Sequence, residues 1–99
     1  MLHDQLLDCL EARVRQAHPK ARVQRNIEYG ICPERRYPIG EIDLLRYSKQ
    51  RLVMYEVKGN HSNVGYRKAK EQYKRFKRYL SPIEVVGVYV TPEHIKRIR

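Results

Sequence analysis

An α/β domain, with a mixed four-stranded sheet and helices on both of its faces, is what this sequence predicts, on three observations. Two segments repeat apolar residues at three- and four-residue steps, the period of a helix with one buried stripe. Four others are short runs rich in β-branched and aromatic residues, bounded by Gly, Pro, Asn or Ser. Their order is helix, three strands, helix, strand, and the closing strand–helix–strand passage suits a right-handed parallel crossover. Ninety-nine residues suffice for one domain, so residues 1–99 are read as a single unit.

Each element has its own reason. Leu6, Leu7, Leu10, Val14 and Ala17 mark a first helix over roughly residues 3 to 18, with Asp4 and Asp8 early and Arg13 and Arg15 late, as the helix dipole favours. His18-Pro19 ends it, because the residue before proline is pushed away from helical geometry. RVQRNIEY (22–29) alternates loosely as a first strand, and ICPERRYP follows as a loop. GEIDLLRY (40–47) reads as a second strand, Ser48-Lys49-Gln50 as a turn, and RLVMYEVK (51–58) as a third. The third is apolar on both faces, Leu52 and Met54 one way and Val53, Tyr55 and Val57 the other, which marks the middle of a covered sheet. GNHSN is a loop. Val64 to Leu80 places Ala69, Tyr73, Phe76 and Leu80 on one side of a second helix, ended by Ser81-Pro82. EVVGVYVT (84–91) is a fourth buried strand, and PEHIKRIR starts a short terminal helix.

The charge balance narrows the partners. Twenty-one Lys and Arg stand against 11 Asp and Glu, a formal +10 that self-repels unless a polyanion is near. Nucleic acid is the commonest such partner, and neutralising its phosphates releases counterions. No apolar run is long enough to span or insert into a membrane. Acids interrupt the apolar pattern of the first residues, which argues against a signal peptide. Cys9 and Cys32 lie 23 apart, with no CxxC and no His at zinc spacing, and read as reduced thiols. A cytoplasmic protein is the expectation, or an intracellular one in a host if the chain is viral.

The chemistry gathers at the ends of the second and third strands. Residues two apart in a strand share a face. Glu41 and Asp43 are therefore expected together, as are Glu56 and Lys58 around an oppositely directed Val57. Burying a carboxylate costs several kcal/mol unless it is paired or bound to a cation. Carboxylates converging from adjacent strands repel, and a hard divalent cation, Mg²⁺ with Mn²⁺ as substitute, relieves that repulsion while keeping waters. A neighbouring lysine then orients the attacking water and offsets charge on a phosphorus in transit. Two carboxylates and a lysine make a sufficient set for phosphodiester hydrolysis.

GEIDLL (40–45) followed by VMYEVKGN (53–60) resembles the D…(D/E)-x-K signature of the PD-(D/E)xK nuclease superfamily, which includes type II restriction enzymes, RecB-type exonuclease domains and archaeal Holliday-junction resolvases. The resemblance spans nearly the whole chain, since that family shares a restriction-endonuclease-like αβββαβ core. It implies Asp43 and Glu56 as metal ligands, the Val57 carbonyl as a further one, and Lys58 as the water-positioning group. It implies also a glutamate from the first helix, best matched by Glu11 with Asp8 one turn earlier as competitor, and a glutamine from the second, matched by Gln72. Ile42 stands where many restriction enzymes have proline, so the small resolvase-like and RecB-like members are the nearer comparison.

Between Arg67 and Arg78 lie seven basic residues and one acid, Glu71. Arg67, Lys68, Lys70 and Lys74 are candidate phosphate contacts, which position a nucleic acid without reading its sequence. His61, in the loop after Lys58, is a candidate for touching DNA or shuttling protons. Arg35 and Arg36, with Arg22 and Arg25, form a second basic set that either grips the duplex or is plain surface. The expected function is a Mg²⁺-dependent endonuclease on DNA, structure-selective for branched or Holliday-junction-like substrates and homodimeric. Its interface would draw on Tyr89 and Val88 or on Tyr29 and Tyr37, and a helicase or recombination protein is a candidate partner. The alternatives are a non-catalytic basic nucleic-acid-binding module and a nuclease subunit of a larger complex.

Overall fold

Periodicity in the first segment places Leu7, Leu10 and Val14 on one stripe, and in the computed structural model, which describes residues 2–30, 34, 37–48 and 51–99, that stripe is buried. It belongs to helix α1 (Leu2–Ala17). Strands β1 (Arg22–Tyr29), β2 (Gly40–Ser48) and β3 (Arg51–Val57) follow, then helix α2 (Asn63–Leu80) and strands β4 (Val85–Val90) and β5 (Ile95–Arg97). The sheet order is β1-β2-β3-β4-β5. β1 pairs antiparallel with β2 and β2 with β3, β3 runs parallel to β4, and β5 returns antiparallel along β4.

The sheet has five strands, not four, because the last segment is a strand where a helix was predicted. Thr91, buried, accepts from the His94 amide through Oγ1 at 3.0 Å, and its own amide donates to the His94 carbonyl at 2.8 Å. This tight turn reverses the chain so that Ile95 pairs with Val90 and Arg97 with Val88. The Ile98 amide then donates to the Gly87 carbonyl. β5 thus covers ladder groups that β4 would otherwise leave open at the sheet edge.

Two apolar clusters lie on opposite faces of the sheet. Under α1 sit Leu7, Leu10 and Val14 with Val53, Tyr55, Val57 and Val90. Under α2 sit Ala69, Tyr73 and Phe76 with Met54, Val85 and Tyr89. The split of β3 between faces is the one its sequence predicts. Tyr73 lies so close to β4 that a methyl at Gly87 would come within 2.5 Å of its ring, so this position takes only glycine without repacking. Tyr89, an expected interface residue, is fully buried beneath α2 and unavailable to a second copy.

One feature of β1 and β2 departs from strict alternation. Val23 and Leu44 pack under α1, whereas Ile27, Tyr29 and Ile42 pack under α2. Both strands change phase at the same level, between Arg25↔Leu44 and Ile27↔Ile42. There Asn26 adopts φ +53°, a left-handed conformation that asparagine tolerates better than most residues. Asp43 stands opposite it.

Candidate functional site

Antiparallel pairing brings the two predicted acids to the same level. The β2–β3 register runs from Ser48↔Arg51 to Leu44↔Tyr55, and its next step sets Asp43 opposite Glu56. Residues so opposed have Cβ atoms roughly 5 Å apart. The regular ladder stops here, and the Asp43 carboxylate takes over: its Oδ2 accepts from the Val57 amide at 2.8 Å. Glu41 is exposed whereas Asp43 is half-buried, so of the two only Asp43 is drawn into the site.

Glu56 is the unusual residue. It is 2% exposed on the α2 side of the central strand, opposite Tyr89 of β4, and its Oε1 has no hydrogen-bond partner. Burial, and after it the adjacent Asp43 charge, pushes its carboxyl up to about 8; Lys58 pulls the other way. A buried carboxyl with one unpartnered oxygen is costly to the fold, the kind of strain that a bound cation removes. Lys58 lies half-buried two residues on, its amide tied to the Val90 carbonyl at 2.9 Å. Its Cγ would be 3.8 Å from a methyl at Gly65, so its side chain runs under the first turn of α2.

The first helix supplies His3, not Glu11. His3 Nε2 lies 3.7 Å from Asp43 Oδ2. Glu11 instead accepts from Arg15 Nε at 2.9 Å and meets Arg25 at 3.4 Å, and Asp8 also bonds Arg25. Eight residues separate His3 from Glu11, about 12 Å along a helix. Neither Glu11 nor Asp8 is among the groups acting on Glu56. The signal for His3 was present: residues 3, 7, 10 and 14 form one stripe at steps of four, three and four, and the last three are the buried ones.

Gln72 lies three residues after Ala69 and four before Phe76, on the stripe of α2 that packs the sheet. Its Oε1 is buried without a partner, as is the Tyr89 hydroxyl. On the α2 side of the sheet, three buried side-chain oxygens among the described residues are thus without a partner: Glu56 Oε1, Gln72 Oε1 and the Tyr89 hydroxyl. His61 is exposed and meets the Tyr89 ring edge-on at 5.8 Å and the His94 ring at 5.3 Å. Arg67, Lys68 and Lys74 are exposed along α2, and Lys70 is half-buried. Arg35 and Arg36 lie outside the described residues. Among the described residues, no group of three or more His, Cys, Asp or Glu side chains is arranged to hold a metal ion, so the site offers a carboxylate pair.

No protein-family model matches the chain, and no curated protein is similar to it. Among solved structures it resembles the crystal structure of SSO0001, with a TM-score of 0.55 and 20% sequence identity over 97% of this chain. The chain spans 48% of the length of that protein, and a likeness at this identity is one of fold.

Proposed function

We propose that the chain is a metal-dependent nuclease that hydrolyses phosphodiester bonds of DNA, built on a small restriction-endonuclease-like core. One observation carries this reading: Glu56, fully buried and with an unpartnered oxygen, faces Asp43 at the ends of two adjacent strands with Lys58 beside it. The residues fit a hard divalent cation. An orphaned carboxylate oxygen and a second carboxylate are oxygen ligands, the Val57 carbonyl is a third donor, and a shell of so few protein ligands suits Mg²⁺, which keeps several waters, with Mn²⁺ as substitute. When bound, the ion supplies a more acidic water and neutralises charge on the phosphate.

The chain's own residues do the rest. Asp43, fixed by the Val57 amide, holds its carboxylate at a set distance from Glu56. Lys58 keeps a positive charge at the pair, where it orients the attacking water and offsets the developing charge on the phosphate oxygens. Gln72, with an unpartnered amide oxygen on the α2 side of the sheet, is proposed to orient water or substrate. The +10 charge draws the polyanion in. Selectivity for branched DNA, homodimer formation and assembly with a helicase or recombination protein belong to this reading as further proposals.

A plasmid and a synthetic four-way junction, incubated with Mg²⁺ or Mn²⁺, test the proposal. Wild type is expected to cut at least one of them, with Lys58→Ala and Asp43→Asn reduced by about a hundredfold or more, the scale of losing a transition-state contact. A second reading, a basic binding module, draws on there being, among the described residues, no group of three His, Cys, Asp or Glu side chains arranged to hold a metal. Equal binding by all three proteins with no cutting by any would establish that reading instead.

A further inference from the structure

The seam between α2 and β5 carries positive charge that the carboxylate site does not use. Near its lower end is a groove of about 420 Å³ lined by Tyr73, Lys74, Lys77, Arg97, Ile98 and Arg99. Four of these six are cations, and none is an acid. Its floor is apolar: Ile98 is buried, and Tyr73 commits its hydroxyl to the Val85 carbonyl at 2.8 Å, leaving the ring as its contribution. Lys77 Nζ stands 5.7 Å from that ring.

The seam leads to the carboxylates. On β5, the step from Arg97 to Ile95 runs from the level of Val88 to that of Val90, toward the end of β3 that bears Glu56. Higher on the seam, Lys96 Nζ lies 4.2 Å from the centre of the Tyr66 ring. Tyr66 in turn meets Tyr89 at 5.2 Å, and Tyr89 is the register partner of Glu56. From Tyr73 to Tyr66 is about 10 Å along a helix. That distance equals roughly three nucleotide steps at 3.4 Å of axial rise each.

We infer that the α2–β5 groove binds the sugar-phosphate backbone of a nucleic-acid strand a few nucleotides from the carboxylate pair, through Lys74, Lys77, Arg97 and Arg99. The inference deepens the nucleic-acid part of the nuclease reading and does not rest on cleavage. Cations converging on a concave, acid-free surface bind regularly spaced phosphates, and the aromatic ring and isoleucine beneath give the sugars a dry face. An acidic peptide would supply the same charge sign without that spacing, and so serves as the control ligand.

Binding of a labelled single-stranded oligonucleotide is measured by fluorescence anisotropy over a series of salt concentrations, in EDTA so that no cutting occurs. Wild type is compared with Arg97→Ala/Arg99→Ala, with Lys74→Ala/Lys77→Ala, and with Lys20→Ala/Arg51→Ala, an equal loss of charge at exposed positions off the seam. Each groove pair is expected to weaken binding by about tenfold and to flatten the salt dependence by roughly 1.4, the loss of two phosphate contacts. The off-seam pair is expected to change neither by more than a small part of that. An off-seam loss as large as the groove loss, or groove pairs that bind like wild type, would overturn the inference. So would polyglutamate displacing the oligonucleotide at equal charge concentration. Circular dichroism melts verify that each pair folds. Because binding is read in EDTA, a loss confined to the groove pairs reports on the groove whether or not any protein cuts DNA, which separates failure of the groove from failure of the nuclease.

Discussion

A carboxylate at full burial in the middle of a sheet shapes the protein's response to pH. With burial, then Asp43, holding Glu56 up to about 8, the folded metal-free protein keeps a proton that the unfolded chain releases near the ordinary glutamate value. Between those two values the folded state binds more protons, so stability falls as pH rises through the window. Thermal melts in EDTA from about pH 5 to about pH 9 are expected to show wild type losing a few kcal/mol, and Glu56→Gln, which carries no charge to bury, staying level. A flat wild-type profile, or a variant that falls in parallel, would mean that Glu56 ionises without cost. The pair itself was legible from Asp43 and the Glu56-x-Lys58 spacing. His3 shares the stripe of Leu7, Leu10 and Val14, but a resemblance that implies a glutamate from the first helix gives no reason to single out a histidine at its start. The turn of phase at Asn26 and Asp43 was hidden too, since it depends on a backbone angle that alternation does not encode.

At the level of elements, the sequence carried the order and the faces with little error. Every boundary of α1, the first four strands and α2 falls within one residue or so of its predicted place, because apolar periodicity and the Pro, Gly and Ser punctuation agree there. The error is β5. PEHIKRIR lacks a helical stripe of any length, and a four-residue turn closed by Thr91 decides its fate through a long-range pairing that local pattern cannot reveal. The contact of α2 with β4 supplies a test of the packing. Gly87→Ala places a methyl against the Tyr73 ring and should cost about 1–3 kcal/mol of stability, by the usual penalty for overfilling a core. Denaturant unfolding measures it, and a cost near zero would show that Tyr73 swings aside freely. Ser62 caps α2 through the Gly65 amide at 2.9 Å, so the loop from Lys58 enters the helix in a fixed direction and keeps the basic face beside the acids.

For the whole molecule, charge and architecture point the same way. The two cores lie on either side of one sheet, and the carboxylate pair sits where β2 and β3 end, at the side of the sheet from which both helices start. No described helix is long and apolar enough to cross a membrane. A +10 surface is tolerable when a polyanion lies on it, and in the proposed reading the seam along α2 and β5 leads that polyanion toward the acids.

The site's affinity for a divalent ion is the quantity on which the functional reading turns. Calorimetric titration of metal-free protein with Mn²⁺ is expected to give one saturable site in wild type, lost or weakened by more than tenfold in both Asp43→Asn and Glu56→Gln. Wild type that takes up no Mn²⁺ with DNA present or absent, or binding that survives both substitutions unchanged, would contradict it.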